Sequence, residues 1–268
     1  MTSGWIRNDA PAALLFCMLA LMLVGPAFAS DANRLRVVQV VQGGQAPFRP
    51  NAALVLAQEV RFRTAVDVKL DRIVVQLGSK AVFDHPFLLW VGEGPFTLTE
   101  RELTNLRTFL ESGGTILVDN AGEGAGLAAF DRAFRTQIHR AFPGRALTVV
   151  PPQHVLFRAF YKVAAVWGSR TVRPYLEALF LDGRIALLYS QNDLTGAWSR
   201  DGFGNWEYEA VPGGPAQREN AIRLGVNVVL YTLLQDYKDE QAHVEYLFRK
   251  RRLLPSDVTP GKTPEGGP

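Results

Sequence analysis

Apolar residues along the chain switch between a period of two and a period of three to four, and the switches mark alternating elements. Residues 36–41 (Arg36-Val37-Val38-Gln39-Val40-Val41) are β-branched and predict a strand. Gly43-Gly44 and Pro47 to Pro50 form a loop, and 52–62 places Leu54, Val55 and Val60 at helical spacing. Residues 66–70 alternate (Val66, Val68, Leu70) and predict an edge strand, and 86–91 (Pro86-Phe87-Leu88-Leu89-Trp90-Val91) predict a buried one. Thr99 and Glu102 have the spacing of a capping box. The helix they open carries Leu103, Leu106, Phe109 and Leu110 on one face, and Gly113-Gly114 closes it. Residues 115–118 predict the next buried strand, 130–142 an amphipathic helix, 184–189 another strand and 217–234 the last long helix. Strands separated by helices imply an α/β, doubly wound, mostly parallel sheet with helices on both faces.

The two ends of the chain carry different signals. Arg7 precedes the apolar run 12–24, Gly25-Pro26 breaks it, and Ala27-Phe28-Ala29 offers small residues at the two positions a signal peptidase reads. That order predicts a signal peptide over residues 1–29, cleaved after Ala29, and an exported, periplasmic protein. The alternative is an N-terminal membrane anchor, although the run is short of the roughly 20 residues a bilayer span needs. Residues 30–252 form the α/β domain, and 253–268, rich in Pro, Gly and Thr, predict a disordered tail. Arg249-Lys250-Arg251-Arg252 reads as a solvated patch, or as a contact for phosphate, membrane or a partner.

Composition then removes several classes of function. A net charge of +3, from 29 basic and 26 acidic residues, implies no nucleic-acid partner. Cys17, the single cysteine, lies in the leader. The mature chain therefore has no disulfide, thiol nucleophile or thiolate ligand. No P-loop, G-x-S-x-G elbow or G-x-G-x-x-G fingerprint is present, although Gly122, Gly124 and Gly126 follow a strand.

Ligands of doubly wound sheets bind beyond the carboxyl ends of the strands, and the unusual polar residues of this chain cluster there. Gly92-Glu93-Gly94 ends one strand, Asp119-Asn120 a second and Asn192-Asp193 a third. Each pair also has the composition of an Asx turn or a cap. The candidate pocket comprises Gly92, Glu93, Asp119, Asn120, His154, Asn192, Asp193, Trp198 and Arg218. Trp198 and Trp206 serve either as core or as a stacking wall. Gln217-Arg218-Glu219-Asn220 opens the last helix, with Arg218 expected to pair with Asp193. No cofactor is expected, but Asp119 and Asp193, with Glu93 and His154, have the hard oxygen-rich character that suits a divalent metal such as Mg²⁺ or Ca²⁺.

The segments "PFLLWVGEGPFTLTERELTNLRTFLESGGTILVDN", "YSQNDLTGAW", "VPGGPAQRENAIRLGVNVVLYTLLQDYKDEQAH" and "RKRR" occur in this order. Together they resemble the DUF4159 family of bacterial domains of unknown function, across residues 34–252. The resemblance implies a glutamine amidotransferase-like, flavodoxin-type fold. It also implies partners among envelope or membrane proteins, including those of a MoxR-associated system. Val91-Gly92-Glu93-Gly94 is similar to the oxyanion loop of such enzymes, and Thr115 to Val118 to the strand that delivers their cysteine. Here that turn holds Asp119-Asn120, so a thioester route is chemically closed. Two functions remain. One is an exported envelope binding or assembly module that lacks the nucleophile. The other is a hydrolase, metal-dependent or not, acting on an envelope glycan or another exported substrate, with Asp119 or Asp193 as base or ligand and His154 or Glu93 as the second acid-base group.

Overall fold

The computed structural model describes residues 34–252, with side chains as far as residue 235. The predicted leader and tail, and the side chains of 249–252, lie outside the described residues. The elements run β1 (Val38–Val41), α1 (Ala52–Arg63), β2 (Val74–Gln76), β3 (Phe87–Gly92), α2 (Glu100–Glu111), β4 (Thr115–Asn120), α3 (Gly124–Ala141), β5 (Thr148–Val149), β6 (Glu177–Leu181), β7 (Arg184–Ser190), α4 (Leu194–Trp198) and α5 (Gly214–Arg252). Short 3₁₀ turns occupy Lys80–Asp84 and Val155–Arg158.

One seven-stranded sheet has the order β2-β1-β3-β4-β7-β6-β5. Its first five strands are parallel, and β6 runs antiparallel to both β7 and β5. This is the predicted α/β, mostly parallel architecture, with β3, β4 and β7 at its centre and buried along their length. Successive side chains of a strand point to opposite faces. Leu88, Trp90, Ile116 and Val118 therefore pack with Leu106 and Phe109 of α2 and Phe130 and Phe134 of α3. The opposite face is covered by α1, α4 and α5, which contact one another.

The local signals act as the physics requires. The Thr99 hydroxyl accepts from the Glu102 amide at 3.3 Å, and the Glu102 carboxylate accepts from the Thr99 amide at 2.9 Å. The same carboxylate accepts from Gly43 N at 2.7 Å, so this cap also ties α2 to the loop after β1.

The structure differs from the sequence reading in the edge strand, in two added strands and in two helix starts. The edge strand is 74–76, not 66–70. In 66–70 only Val68 is buried and it forms a single bridge, whereas Val75 and Leu77 turn into the core and Leu77 N donates to Val41 O at 2.7 Å. Strands β5 and β6 are additional; β6 and β7 are joined by Asp182-Gly183, both at positive φ (49° and 81°), as a two-residue hairpin turn requires. Finally, α3 and α5 start at Gly124 and Gly214, ahead of the apolar periodicity that betrays them.

Candidate functional site

The parallel strands bring Asp119 and Asn120 to one edge, but strand geometry sends them apart. Asp119 faces the α1, α4 and α5 layer. One of its carboxylate oxygens accepts from Leu194 N at 3.0 Å, and the other accepts from Thr195 N at 2.7 Å and the Thr195 hydroxyl at 2.6 Å. It thus occupies the start of α4, where unpaired amides favour a negative charge. Asn120 faces α3. Its amide nitrogen donates to Leu127 O at 2.9 Å and to Tyr189 Oη at 3.2 Å, and its oxygen accepts from Gly122 N at 3.1 Å, an Asx turn. The two neighbours thus spend their side chains on opposite faces of the sheet.

Asn192 and Asp193 close the same edge from β7. The Asn192 oxygen accepts from Val172 N and Arg173 N, both at 2.8 Å, and its nitrogen donates to Val166 O at 3.1 Å and Arg173 O at 2.6 Å. All its side-chain bonding capacity goes to the 166–173 segment. Asp193 has positive φ (52°), a conformation that a short polar residue tolerates, and caps α4 through Gly196 N at 3.0 Å. Arg49 donates to both of its oxygens, Nε and Nη2 each at 2.8 Å, and the Ser169 hydroxyl donates to it at 2.5 Å. Tyr208 lies over the Arg49 guanidinium, 3.6 Å from Cζ to the ring centroid. The expected partner was Arg218; the pair is made instead by Arg49, from the loop after β1. Arg218 donates to Ala197 O at 2.5 Å and Tyr208 O at 2.6 Å.

Asp119, Asn120, Asn192 and Asp193 are all buried. Burial, and next the neighbouring Asp193 charge, push the Asp119 carboxyl up to about 6, while its bonds from Thr195 and Leu194 pull the other way. Its acceptors are nonetheless filled by the protein's own donors.

The remaining predicted residues scatter. Gly92 ends β3 beneath Phe130, where an added Cβ would meet the ring at 2.6 Å; the glycine serves packing. Glu93 is exposed. His154 is not at this edge. Its ring packs against Phe180 and Tyr231, and both of these meet Ile185 at the amino end of β7. Trp198 is core, packed so closely on Gly225 that a Cβ there would meet its ring at 2.8 Å. Gln217 donates to Gly168 O at 2.8 Å and Val211 O at 2.8 Å, holding two loops to α5. Arg170 covers the glycine-rich turn through Gly122 O at 2.8 Å and Ala121 O at 3.1 Å. Among the described residues, no three His, Cys, Asp or Glu side chains gather in a way that could hold a metal ion.

Open space lies one layer further out. A cavity of about 430 Å³ sits between α1, the 200–211 loop and the amino end of α5, a size suited to a small molecule. Arg200, Arg218, Trp206, Tyr208 and Glu209 line it, with Glu59 and Arg63 of α1 and Glu219 of α5. Of these only Arg218 belongs to the predicted pocket. Tyr208 links the two levels, stacking on Arg49 inside and lining the cavity outside. Arg49 was legible in one respect: it follows the carboxyl end of a parallel strand, as Asp119 and Asp193 do. Arg200 and Tyr208 carry no comparable signal.

A family model described as "Domain of unknown function (DUF4159)" matches residues 35–233. No curated protein matches the chain.

Proposed function

The chain belongs to the DUF4159 family, and from that premise we propose that it is an exported cell-envelope binding or assembly module on an amidotransferase-like scaffold, not a catalyst. One observation carries this reading. Asp119 and Asp193, the acids at the sheet edge where such a scaffold does its chemistry, are buried and spend their oxygens on Leu194, Thr195, Gly196, Ser169 and Arg49. A catalytic site needs a nucleophile, a base and an orienter around open space. Here the same positions hold α4 and the 166–173 segment in place.

The partners we propose are envelope or membrane proteins, including a MoxR-associated system. Phe203 and Phe62 support a docking role, being 94% and 87% exposed. They lie in sequence beside the cavity residues Arg200 and Arg63, and aromatic residues with arginine are enriched at protein interfaces. Among the described residues, no helix is long and apolar enough to cross a membrane, so the proposed attachment is through a partner or the N-terminal segment.

The test expresses the full chain with its leader, cross-links the envelope fraction and identifies what is recovered. In parallel, the purified protein is assayed on chromogenic glycosides and esters. The reading expects a defined envelope partner and no turnover above buffer. Turnover abolished by Asp119→Asn, with an unchanged unfolding midpoint, would install the hydrolase in its place.

A further inference from the structure

Two arginines that line the cavity have no carboxylate in hydrogen-bonding contact among the described residues. Arg218 is only 9% exposed, and its hydrogen bonds go to the carbonyls of Ala197 and Tyr208. Arg200 donates to Gly204 O at 2.8 Å. Neither forms an ion pair among the described residues. Both lie on Trp206, with Cζ at 3.5 Å from the ring centroid for Arg200 and 4.4 Å for Arg218. Arg218 is held below the usual arginine range by burial first and by the like charge of Arg200 next.

The nearby acids are mostly committed elsewhere. Arg63 binds Glu219 through two nitrogens, at 2.7 and 2.9 Å, and Glu59 at 2.6 Å, and Arg223 binds Glu219 at 2.8 Å. Glu209, which also lines the cavity, acts on Arg218 by charge alone, without ion-pair contact among the described residues. Bringing two cations together with one largely desolvated costs free energy unless an anion completes the set. The amino end of α5, at Gly214 and Pro215, faces the same space and adds a partial positive charge.

We propose that this cavity binds a small organic oxyanion, a carboxylate or a phosphate ester, through the guanidinium groups of Arg200 and Arg218, with its carbon skeleton against Ile222 and Pro215. Guanidinium forks suit the paired oxygens of either group. Trp206 acts as the spacer that holds both forks in position. The inference is independent of where the chain works: a protein that recovers its envelope partner but binds neither anion would refute this site alone.

The experiment is calorimetric titration of the full chain with glucuronate, glucose 1-phosphate and glucose. Wild type is expected to bind at least one of the two anions with a Kd below about 1 mM, and glucose at least about tenfold more weakly. The anion that binds tighter identifies the headgroup. Arg200→Gln, at a half-buried position outside the buried core, should keep its thermal midpoint within about 2 °C and weaken the anion at least about tenfold. Arg200→Lys should restore part of the loss. Absence of saturable anion binding, equal binding of glucose, or unchanged affinity in folded Arg200→Gln would each overturn the site.

Discussion

The carboxylate of Asp193 and the guanidinium of Arg49 form a two-armed buried ion pair, 2.8 Å on each arm, between residues 144 positions apart in sequence. It joins the loop after β1 to the end of β7, and Tyr208 seals it from above. The strand-end polar groups are thus a structural knot, and the cavity proposed to bind an anion lies one layer outside it.

Removing one member of that pair leaves the other charged, buried and alone. Arg49→Ala should destabilise the protein by about 3–5 kcal/mol. Arg49→Lys should recover only part of this, because an ammonium cannot reproduce the two-armed fork. Urea unfolding at neutral pH measures both. An Arg49→Ala variant as stable as wild type would mean that the pair is an incidental contact.

Asp119 gives a pH signature. Its folded carboxyl is raised from an ordinary 3.8 to about 6, so between those values the folded state holds the proton that the unfolded chain releases. Its contribution is therefore full below about 4 and is lost as pH rises through about 6. Asp119→Asn cannot titrate and turns an amide N–H₂ toward the amides of α4. It should lower stability throughout, by at least about 2 kcal/mol at neutral pH. The gap to wild type should be wider at pH 4 than at pH 7. Unfolding curves for both proteins across that range check the sign.

Asn192 straps the 166–173 segment to the sheet with four hydrogen bonds. Asn192→Ala should leave buried backbone groups of Val166, Val172 and Arg173 unpaired. Amide exchange in 166–173 should then rise by at least about tenfold, equivalent to about 1.4 kcal/mol of lost protection. Exchange in α2, on the other face of the sheet, should not change. Unaltered exchange in 166–173 would remove this role from Asn192.

The parallel core was legible because its strands are continuous apolar runs and its best helix announces itself with Thr99 and Glu102. The edge was not. Val66, Val68 and Leu70 alternate as well as Ile73, Val75 and Leu77 do, and only pairing with β1 distinguishes them. The β6–β7 hairpin carries a signal in Asp182-Gly183, masked by the regular parallel pattern around it. For the candidate site, the sequence placed Asp119, Asn120, Asn192 and Asp193 at one edge of the sheet, where the structure has them spent on the protein's own groups. What the sequence could not convey was the direction of each side chain. Asp119 and Asn120 are neighbours in the chain that serve opposite faces, and Asp193 chose an arginine 144 residues away over one in the motif-rich helix start. Partner choice across such distances follows from packing, and local composition carries none of it.

The central claim is that the buried acids hold the fold while the outer arginines do the binding. The most direct measurement is the unfolding free energy and the affinity for the tighter-binding anion in the same two variants, Asp119→Asn and Arg200→Gln. The account predicts a crossed result: Asp119→Asn loses stability and keeps its affinity, whereas Arg200→Gln keeps its stability and loses at least about tenfold in affinity. An Asp119→Asn protein of wild-type stability that no longer binds, beside an Arg200→Gln protein that binds as before, would contradict it.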